Sequence, residues 1–353
     1  MHKTEFGFGI VGAGAISGIH AQAIAATGGA KLAGIYSINR HKSVTFAEQH
    51  PCKVFDTLDE MVSDPEIDIV CICTPSGVHM EPALKAIEAG KHCLIEKPLE
   101  VTMERCDAII EAAEKAGVVV AVVFPSRFHE ASRLIREAVD AGRCGPLVFG
   151  DVDVKWSRSE AYYQSAQWRG TWQFDGGGAL MNQGIHSVDL LQWYMGPVEA
   201  VQAMTANRRH KEIEVEDTVT AIVRFASGAL GTIECSTAVY PGALKKLEIT
   251  GTAGTVIMEE SSLLKWELAD ETPEDQQIKN TINGKHTSGG GAADPMSISY
   301  AGHQYQMEDL INAIRAGRQP LVDGKEGRKS VEIVTAIYES ARTGQLVKLP
   351  LQG

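Results

Sequence analysis

The feature that most constrains the fold is a glycine-rich turn close to the N-terminus. Apolar residues run from Phe6 to Val11, and Gly12, Gly14 and Ser17 then form a Gly-x-Gly-x-x-small pattern that opens a helical stretch. Between a strand and a helix, such glycines allow a tight turn and a close approach to a pyrophosphate. Serine departs from the strict pattern but keeps the small size that helix–strand packing needs. The turn predicts a dinucleotide site, although glycine turns also occur for structural reasons alone.

The rest of the first third of the chain alternates short apolar runs with helical patterns. Gly90 and Gly117 each follow a helical stretch, at the position where a left-handed C-cap residue is typical. Thr57 and Glu60 form a capping box. Further strands are predicted at residues 31–36, 68–74, 92–96 and 118–124, with a helix at 102–116. This alternation predicts a doubly wound parallel sheet, a Rossmann domain over residues 1–125.

The pattern of apolar and polar residues changes after residue 125. Residues 148–156, 218–225, 229–237 and 247–250 alternate apolar and polar side chains and are joined by tight turns. This pattern predicts an antiparallel sheet with one covered face, in an α+β domain over residues 126–353. The polar, glycine-rich stretch 269–299 is interpreted as an excursion or mobile loop, and helices are predicted near 304–316 and 326–342.

Charge and cysteine usage narrow the class of protein. The formal net charge of -12 argues against a nucleic-acid partner, which requires a basic surface. No apolar run approaches membrane-spanning length, and the polar N-terminus is not a signal peptide. The 7 cysteines are scattered, fit no zinc pattern and suit a reducing compartment. We therefore expect a cytoplasmic protein without a metal site, a membrane anchor or a nucleic-acid partner.

The end of the second predicted strand bears on which dinucleotide binds. An NAD site usually has a carboxylate there, which holds the ribose hydroxyls, but residues 35–42 contain none. Ser37 and Arg40 suit a 2′-phosphate, which tilts the expected cofactor, NAD or NADP, toward NADP. Alternatively, Arg40 lies in a solvated loop, and Asn39 or Ser37 serves NAD.

Two further patterns carry chemistry. Lys97 and Pro98 follow the predicted strand 92–96, and a cation at the carboxyl edge of a parallel sheet lies where such folds bind ligands. Asn182, His186 and Asp189 share one face if their segment is helical, just after three glycines that allow backbone to approach a ligand. The alternative for this second pattern is a hydrogen-bonded core histidine that only pins the helix.

Taken in order along the chain, these motifs resemble the Gfo/Idh/MocA oxidoreductase family over essentially the whole length. They comprise the glycine turn, Thr74 to His79, Glu96-Lys97-Pro98, residues 168–172, His186-x-x-Asp189 and the closing stretches 320–324 and 336–341. The resemblance implies an N-terminal Rossmann domain and a C-terminal open-faced antiparallel sheet that forms a homodimer or homotetramer. It also implies hydride transfer between a nicotinamide cofactor and a secondary alcohol or ketone of a sugar, nucleotide sugar or cyclitol.

The resemblance also assigns residues. Lys97 matches the catalytic lysine and His186 the catalytic histidine, while Asn182 stands where many members have an aspartate that relays protons. Members similar to nucleotide-sugar 3-dehydrogenases also carry asparagine there. The candidate cofactor contacts are Gly12, Gly14, Ala15, Ile16, Ser37, Asn39, Arg40, Thr74, Pro75, His79, Glu96 and Lys97. The candidate substrate contacts are Trp168, Arg169, Trp172 and His303; aromatic residues at this density are also typical of core packing, and His303 also suits a helix cap.

The residue types fit the chemistry of alcohol oxidation. His186 is the expected base for the hydroxyl proton, and Lys97 the cation that stabilises an alkoxide-like oxygen. Asp189 either fixes the tautomer of His186 or is a structural acceptor. Two other functions stay open: a glycoside hydrolase that reduces and reoxidises bound NAD within each cycle, and a non-enzymatic, cofactor-sensing regulator. Retention of both Lys97 and His186 argues against the regulator.

Overall fold

The computed structural model describes residues 3–282 and 299–351. These residues form two compact units: residues 3–125, 173–176 and 299–331 make the first, and residues 126–172, 177–282 and 332–351 make the second. Along the chain, the first unit is left after residue 125. Residues 173–176 and 299–331 also group with the first unit: Gly77 N donates to the carbonyl oxygen of Phe174 (2.8 Å), and the helix at residues 301–316 packs against the helix at residues 15–26.

The first unit is built on a six-stranded parallel sheet. Its strands, β1 to β6 in chain order, are Phe6–Val11, Ala30–Tyr36, Lys53–Val54, Ile69–Ile72, His92–Ile95 and Val120–Val122. Their spatial order is β3-β2-β1-β4-β5-β6, so the sheet reverses its winding between β1 and β4. All residues of β1 and β4 are buried, as expected for a parallel sheet covered on both faces. The carboxyl ends of these strands form the edge where ligands bind in open α/β sheets.

Helices cover this sheet. They are α1 to α5, with bounds Ala15–Ala26, Arg40–Gln49, Leu58–Ser63, Met80–Glu88 and Met103–Ala116, and α10, Ala301–Ala316. The predicted caps are confirmed: Thr57 and Glu60 form a capping box, and Gly90 and Gly117 have positive φ of 73° and 67°. Helix α10 packs on α1, and Met307 of α10 joins the same apolar core as Phe8 of β1.

The second unit contains an eight-stranded sheet with the order β13-β12-β11-β7-β10-β9-β8-β14. Strands β7 to β14 are Leu147–Lys155, Val198–Ala206, Thr218–Phe225, Leu230–Ser236, Lys246–Gly251, Gly254–Glu259, Ser262–Leu268 and Val347–Lys348. The helices of this unit are α6 Glu130–Asp140, α7 Glu160–Gln164, α8 Ile185–Met195 and α9 Pro273–Ile282, and a π-helical turn, Ala179–Gly184, precedes α8. The last helix, α11, is Gly324–Thr343, and its residues up to 331 belong to the first unit.

Two details of this region differ from the expected pattern. The sheet is mostly antiparallel, as expected, but β10 pairs antiparallel with its hairpin partner β9 and parallel with β7. The stretch 269–299 is not wholly a loop, since Pro273–Ile282 is helical and Asp275 accepts hydrogen bonds from Arg143, Trp266 and Thr272. The part of that prediction at residues 283–298 lies outside the described residues. Among the described residues, no helix is long and apolar enough to cross a membrane.

Candidate functional site

The glycine turn follows β1 at the carboxyl edge of the first unit's sheet. Gly12 has φ of 102°, and a Cβ there would lie 2.7 Å from the carbonyl oxygen of Cys73, so only glycine fits without strain. The space that a Cβ would occupy at the exposed Gly14 is open, with no atom within 4 Å among the described residues. One glycine is therefore required by the fold, and the other leaves room for a ligand.

The serine at the third motif position stabilises the turn through hydrogen bonds of its side chain. Ser17 is fully buried, and its hydroxyl lies 2.9 Å from the carbonyl oxygens of both Gly12 and Gly14. Such contacts tie the turn to the first turn of α1, where Ala15 and Ile16 stand. Since the first N–H groups of a helix have no intrahelical acceptor, this end of α1 suits a pyrophosphate.

The residues after β2 form a second polar group at the same edge. Asn39 caps α2 by accepting a hydrogen bond from Lys42 N (3.3 Å), and Ser37 Oγ accepts from Asn39 N (3.3 Å). Arg40 forms an ion pair with Asp56, and both side chains are largely exposed. The end of β2 itself carries no carboxylate, and Asp56, in the loop that follows β3, lies beside Arg40.

Thr74, Pro75 and His79 follow β4, as predicted. The buried imidazole of His79 places Nε2 3.1 Å from the Thr74 carbonyl oxygen and Nδ1 2.9 Å from that of Pro98. Burial lowers the pKa of His79, against the raising effect of the nearby Glu100 carboxylate and of these two carbonyl contacts. His79 therefore links the loop after β4 to the turn after β5.

Glu96, Lys97 and Pro98 come directly after β5, and the Lys97–Pro98 peptide bond is cis. The buried carboxylate of Glu96 accepts a hydrogen bond from His20 Nε2 (2.8 Å), and His303 Nε2 lies 3.8 Å from the same oxygen. Burial alone would raise the pKa of Glu96, but the two imidazoles hold it well below its usual range. His303, predicted as a substrate contact, is thus buried in the first unit beside Glu96.

In the second unit, two glycines before α8 lie against other residues of the same unit. A Cβ on Gly177 would lie 2.2 Å from Tyr338 Oη, and one on Gly178 would lie 1.7 Å from the carbonyl oxygen of Glu216. The close approach attributed to a ligand in the sequence is therefore made by Tyr338 and Glu216.

The buried carboxylate of Glu216 accepts hydrogen bonds at the start of the π-helical turn. The donors are Gly178 N (2.8 Å), Leu180 N (2.9 Å) and the hydroxyl of Tyr338 (3.0 Å). Burial raises the pKa of Glu216 to about 7, against the lowering effect of these hydrogen bonds. Glu216 and Tyr338 thus fasten the segment that leads to His186.

Asn182, His186 and Asp189 do not lie on one regular α-helix. Asn182 is in the π-helical turn, whereas His186 and Asp189 are in α8, so the assumed helical spacing fails at Asn182. Asn182 and His186 are partly exposed. Asp189 is fully buried, and its two oxygens accept hydrogen bonds from Arg127 Nε (2.8 Å) and Nη2 (2.7 Å). Arg127 is therefore the partner of Asp189 in the structural role considered for that carboxylate.

The predicted substrate residues Trp168 and Arg169 belong to a cluster of aromatic and cationic side chains. The Arg169 guanidinium lies 4.3 Å from the ring centroid of Tyr162 and 4.6 Å from that of Trp168. Arg169 Nη1 and Gln183 Nε2 both donate to Tyr162 Oη, at 2.6 and 2.9 Å. Because Gln183 neighbours Asn182, the cluster adjoins the segment that leads to His186.

Trp172 has another setting. It is 47% exposed and packs edge-on against Tyr338, with ring centroids 5.2 Å apart.

Five residues with clear roles in these arrangements escaped the sequence reasoning: His20, Asp56, Arg127, Glu216 and Tyr338. Each meets its partner through the tertiary fold; His20 and Glu96, for example, are 76 positions apart. Tyr338 lies in one of the stretches that carry the family resemblance, which is the only signal that could have drawn attention to it.

Comparison with known proteins agrees with this architecture. Residues 6–124 match the oxidoreductase family model described as an NAD-binding Rossmann fold, and residues 132–257 match the Gfo/Idh/MocA C-terminal domain. The WlbA dehydrogenase from Bordetella pertussis, solved in complex with NADH and UDP-GlcNAcA, is 35% identical, with a TM-score of 0.90 and 100% of both chains covered.

Two further relatives are similar over most of their length. WlbA from Chromobacterium violaceum, solved with the same two ligands, is 34% identical, with a TM-score of 0.88, covering 100% of this chain and 98% of that one. The 1,5-anhydro-D-fructose reductase of Ensifer adhaerens is 28% identical over 337 residues, 93% of each chain. Together with the glycine turn and the lysine after β5, these matches show that the chain belongs to the Gfo/Idh/MocA family of NAD(P)-dependent oxidoreductases.

Proposed function

We propose that the protein is an NAD-dependent dehydrogenase that oxidises a secondary alcohol on the sugar ring of an acidic UDP-sugar. The observation that carries the proposal is the full-length match to a dehydrogenase whose structure contains NADH and UDP-GlcNAcA. The asparagine at position 182, which the family resemblance links to nucleotide-sugar dehydrogenases, supports the same substrate class. We assign cofactor binding to the first unit and substrate binding to the second.

The arginine cluster of the second unit supports an anionic substrate. Arg158 is buried, its guanidinium lies 5.4 Å from the ring centroid of Tyr162, and Arg169 stacks on the same ring. Burial lowers the pKa of Arg158, and the charge of Arg169 lowers it further. An anion bound beside two guanidinium groups would relieve this strain on the cationic form, as a carboxylate or phosphate does in bidentate arginine sites.

The first unit fits a nicotinamide dinucleotide. Gly14 leaves open space beside the N-terminus of α1, where a pyrophosphate is stabilised by backbone N–H groups. The bound nicotinamide supplies the hydride acceptor for alcohol oxidation. Ser37, Asn39, Thr74, Pro75 and the other predicted contacts stay assigned to cofactor binding.

We further propose NAD rather than NADP, against the slight preference for NADP expected from residues 35–42. Asp56 engages Arg40, the residue expected to hold a 2′-phosphate. The pair is exposed and therefore weak, but the carboxylate would still repel a 2′-phosphate and accept from ribose hydroxyls. Asp56→Asn is expected to raise kcat/KM for NADP relative to NAD by about tenfold. An unchanged NADP to NAD ratio would remove Asp56 from cofactor selection.

The catalytic roles follow from the chemistry of the side chains. His186 takes the hydroxyl proton, and Lys97 stabilises the oxygen that becomes negative as hydride leaves the carbinol carbon. Asn182 donates and accepts hydrogen bonds but transfers no proton, so it orients substrate. Asp189 acts through the helix, which it anchors to Arg127.

The sheet of the second unit supports assembly into homodimers or homotetramers. On β9 the side chains of Val219, Ala221 and Val223 are buried, whereas Ile222 is 58% exposed, and Met204 on the neighbouring β8 is 80% exposed. Exposed apolar side chains on a sheet face are typical of an interface. Light scattering after size exclusion would test this, and Met204→Lys with Ile222→Lys should yield monomers.

The substrate is tested by nicotinamide reduction with a matched pair, UDP-GlcNAcA and UDP-GlcNAc, alongside myo-inositol and 1,5-anhydro-sugars. We expect NADH formation with UDP-GlcNAcA, and kcat/KM lower by about 10–100-fold for UDP-GlcNAc, whose sugar ring lacks the carboxylate and so loses one charged hydrogen-bonded contact. A preference for free sugars or inositol would overturn the nucleotide-sugar assignment. Glycoside cleavage without net NADH would indicate the hydrolase instead.

The lysine is tested with Lys97→Met, which keeps the length of the side chain but removes the charge. We expect turnover to fall by about 10²–10⁴-fold while NADH affinity, measured by fluorescence, changes little. Undiminished turnover would exclude Lys97 from the reaction. The control is Lys91→Met; Lys91 is in the same unit, where it donates to the carbonyl oxygens of Asp64 and Ile67.

A further inference from the structure

Three ionisable side chains meet beneath the turn that carries Lys97. His20 of α1, Glu96 after β5 and His303 of α10 are all buried, with exposures of 0%, 7% and 5%. His20 Nε2 donates to Glu96 Oε1 at 2.8 Å, and the His303 ring packs edge-on against His20, with centroids 5.4 Å apart. At 3.8 Å from Glu96 Oε1, His303 Nε2 contributes electrostatically rather than through a full hydrogen bond.

Burying these three ionisable side chains costs free energy unless their charges and polar atoms are paired. A buried carboxylate is tolerated only when donors surround it, and here one imidazole donates directly and a second lies close by. The Nδ1 atoms of His20 and His303 have no hydrogen-bond partner within residues 3–282 and 299–351. The orientation of both rings therefore depends on Glu96 and on each other. The cluster holds more polar atoms than it satisfies, which a purely structural core would avoid.

The carboxylate connects the imidazoles to the lysine. Glu96 Oε1 faces the two histidines, while Glu96 Oε2 accepts the backbone N–H of Lys97 at 3.2 Å. On the other side of Lys97, the carbonyl oxygen of Pro98 lies 2.9 Å from His79 Nδ1. The Lys97 amide is thus held by a carboxylate, and the carbonyl group of the next residue contacts an imidazole.

A metal ion is a weaker explanation for the same cluster. One ligand atom from each of His20, Glu96 and His303 lies within 4.8 Å of the others, which is compatible with a metal. However, metal-binding histidines normally donate their second ring N–H to a further acceptor, and neither Nδ1 has one among the described residues. The 2.8 Å contact is also an ordinary hydrogen-bond distance.

We propose that His20, supported by His303, is a positioning residue for hydride transfer. By orienting the Glu96 carboxylate it holds the Lys97 backbone, and through it the ammonium group, in the geometry that the reaction needs. The inference rests on the proposed catalytic role of Lys97. A displacement of about 1 Å at a catalytic group can cost ~10²-fold in rate, so a buried support without substrate contact is expected to matter.

The test compares His20→Leu, His20→Gln and His303→Leu with a control, His92→Leu. Glutamine keeps an N–H donor for Glu96, whereas leucine keeps only bulk. His92 accepts a hydrogen bond from Val119 N at the opposite end of β5, so its loss perturbs the same strand away from Lys97. Two properties are measured: the hydrogen-exchange rate of the Lys97 amide, and single-turnover hydride transfer with UDP-GlcNAcA.

We expect His20→Leu to accelerate exchange of the Lys97 amide and to slow hydride transfer by about 10–100-fold. His303→Leu should have a smaller effect, His20→Gln should retain most of the rate, and His92→Leu should change neither property. If His20→Leu does not fold, His20→Asn replaces it, because the shorter amide stays polar but no longer reaches Glu96.

Unchanged exchange at the Lys97 amide in His20→Leu, or in His20→Asn where it replaces it, would overturn the inference. Absence of turnover by the wild-type protein would instead contradict the proposed function, and the exchange rates would still decide the inference. Equal losses in His20→Leu and His92→Leu would reduce His20 to a structural residue. Loss of activity after dialysis against EDTA, restored by zinc, would replace the inference with a metal site.

Discussion

The second unit should become less stable as pH rises, because the buried carboxyl group of Glu216 loses its proton. This group accepts hydrogen bonds at the start of the segment that leads to His186. Glu216 has a pKa of about 7 in the folded protein against 4.5 as its ordinary value, so the folded state binds the proton more tightly. Its contribution is complete below about pH 4.5 and is lost as pH rises through about 7. The full effect is ~3 kcal/mol, of which ~2.5 kcal/mol disappears between about pH 5 and pH 8.

Glu216→Gln removes this titration while keeping the size of the side chain. The amide presents one acceptor oxygen where the carboxylate has two, so the variant carries a constant penalty of about 1–3 kcal/mol for an unsatisfied backbone N–H. The pH-dependent part should vanish. The difference in unfolding free energy between wild type and variant is therefore expected to shrink by ~2.5 kcal/mol from about pH 5 to about pH 8.

Urea unfolding followed by tryptophan fluorescence suits this measurement. All 5 tryptophans (Trp156, Trp168, Trp172, Trp193 and Trp266) lie in the second unit, so the signal reports on that unit. Glu212→Gln, an exposed glutamate in the same unit, is the control and should show no such trend. A wild-type to variant difference that stays constant with pH would refute the assigned ionisation of Glu216.

Two further predictions concern packing. Gly12→Ala places a Cβ 2.7 Å from a backbone carbonyl oxygen at φ of 102°, so the free energy of unfolding should fall by about 1–3 kcal/mol. In Gly14→Ala the added Cβ has no atom within 4 Å among the described residues, so the melting temperature should stay unchanged. Gly14→Ala should weaken only NADH binding, measured by fluorescence titration. Equal melting temperatures for the two variants would contradict the assigned strain. Asp189→Asn breaks a buried pair with Arg127 and should cost about 3–5 kcal/mol in urea unfolding, against less than about 1 kcal/mol for the exposed Asp140→Asn control.

The sequence determined the elements whose signals are local. The apolar run before Gly12 and the alternation of strand and helix predicted the parallel sheet, because periodicity and turn residues act over a few positions. The place of Lys97 after β5 followed from the same pattern. The second sheet was predicted less completely: β9 matched its expected range, but the parallel pairing of β7 with β10 depends on which non-consecutive strands meet.

The tertiary structure decided how the candidate residues are held. His20 reaches Glu96 across 76 positions, and Glu216 caps a turn 36 positions before it. The sequence pattern assumed a regular α-helix through Asn182, whereas Tyr338 and Glu216 hold the entry to a π-helical turn that no local periodicity encodes. Local rules place a side chain at a strand end or on a helix, but its partners and its pKa depend on burial and on charges brought together from distant parts of the chain.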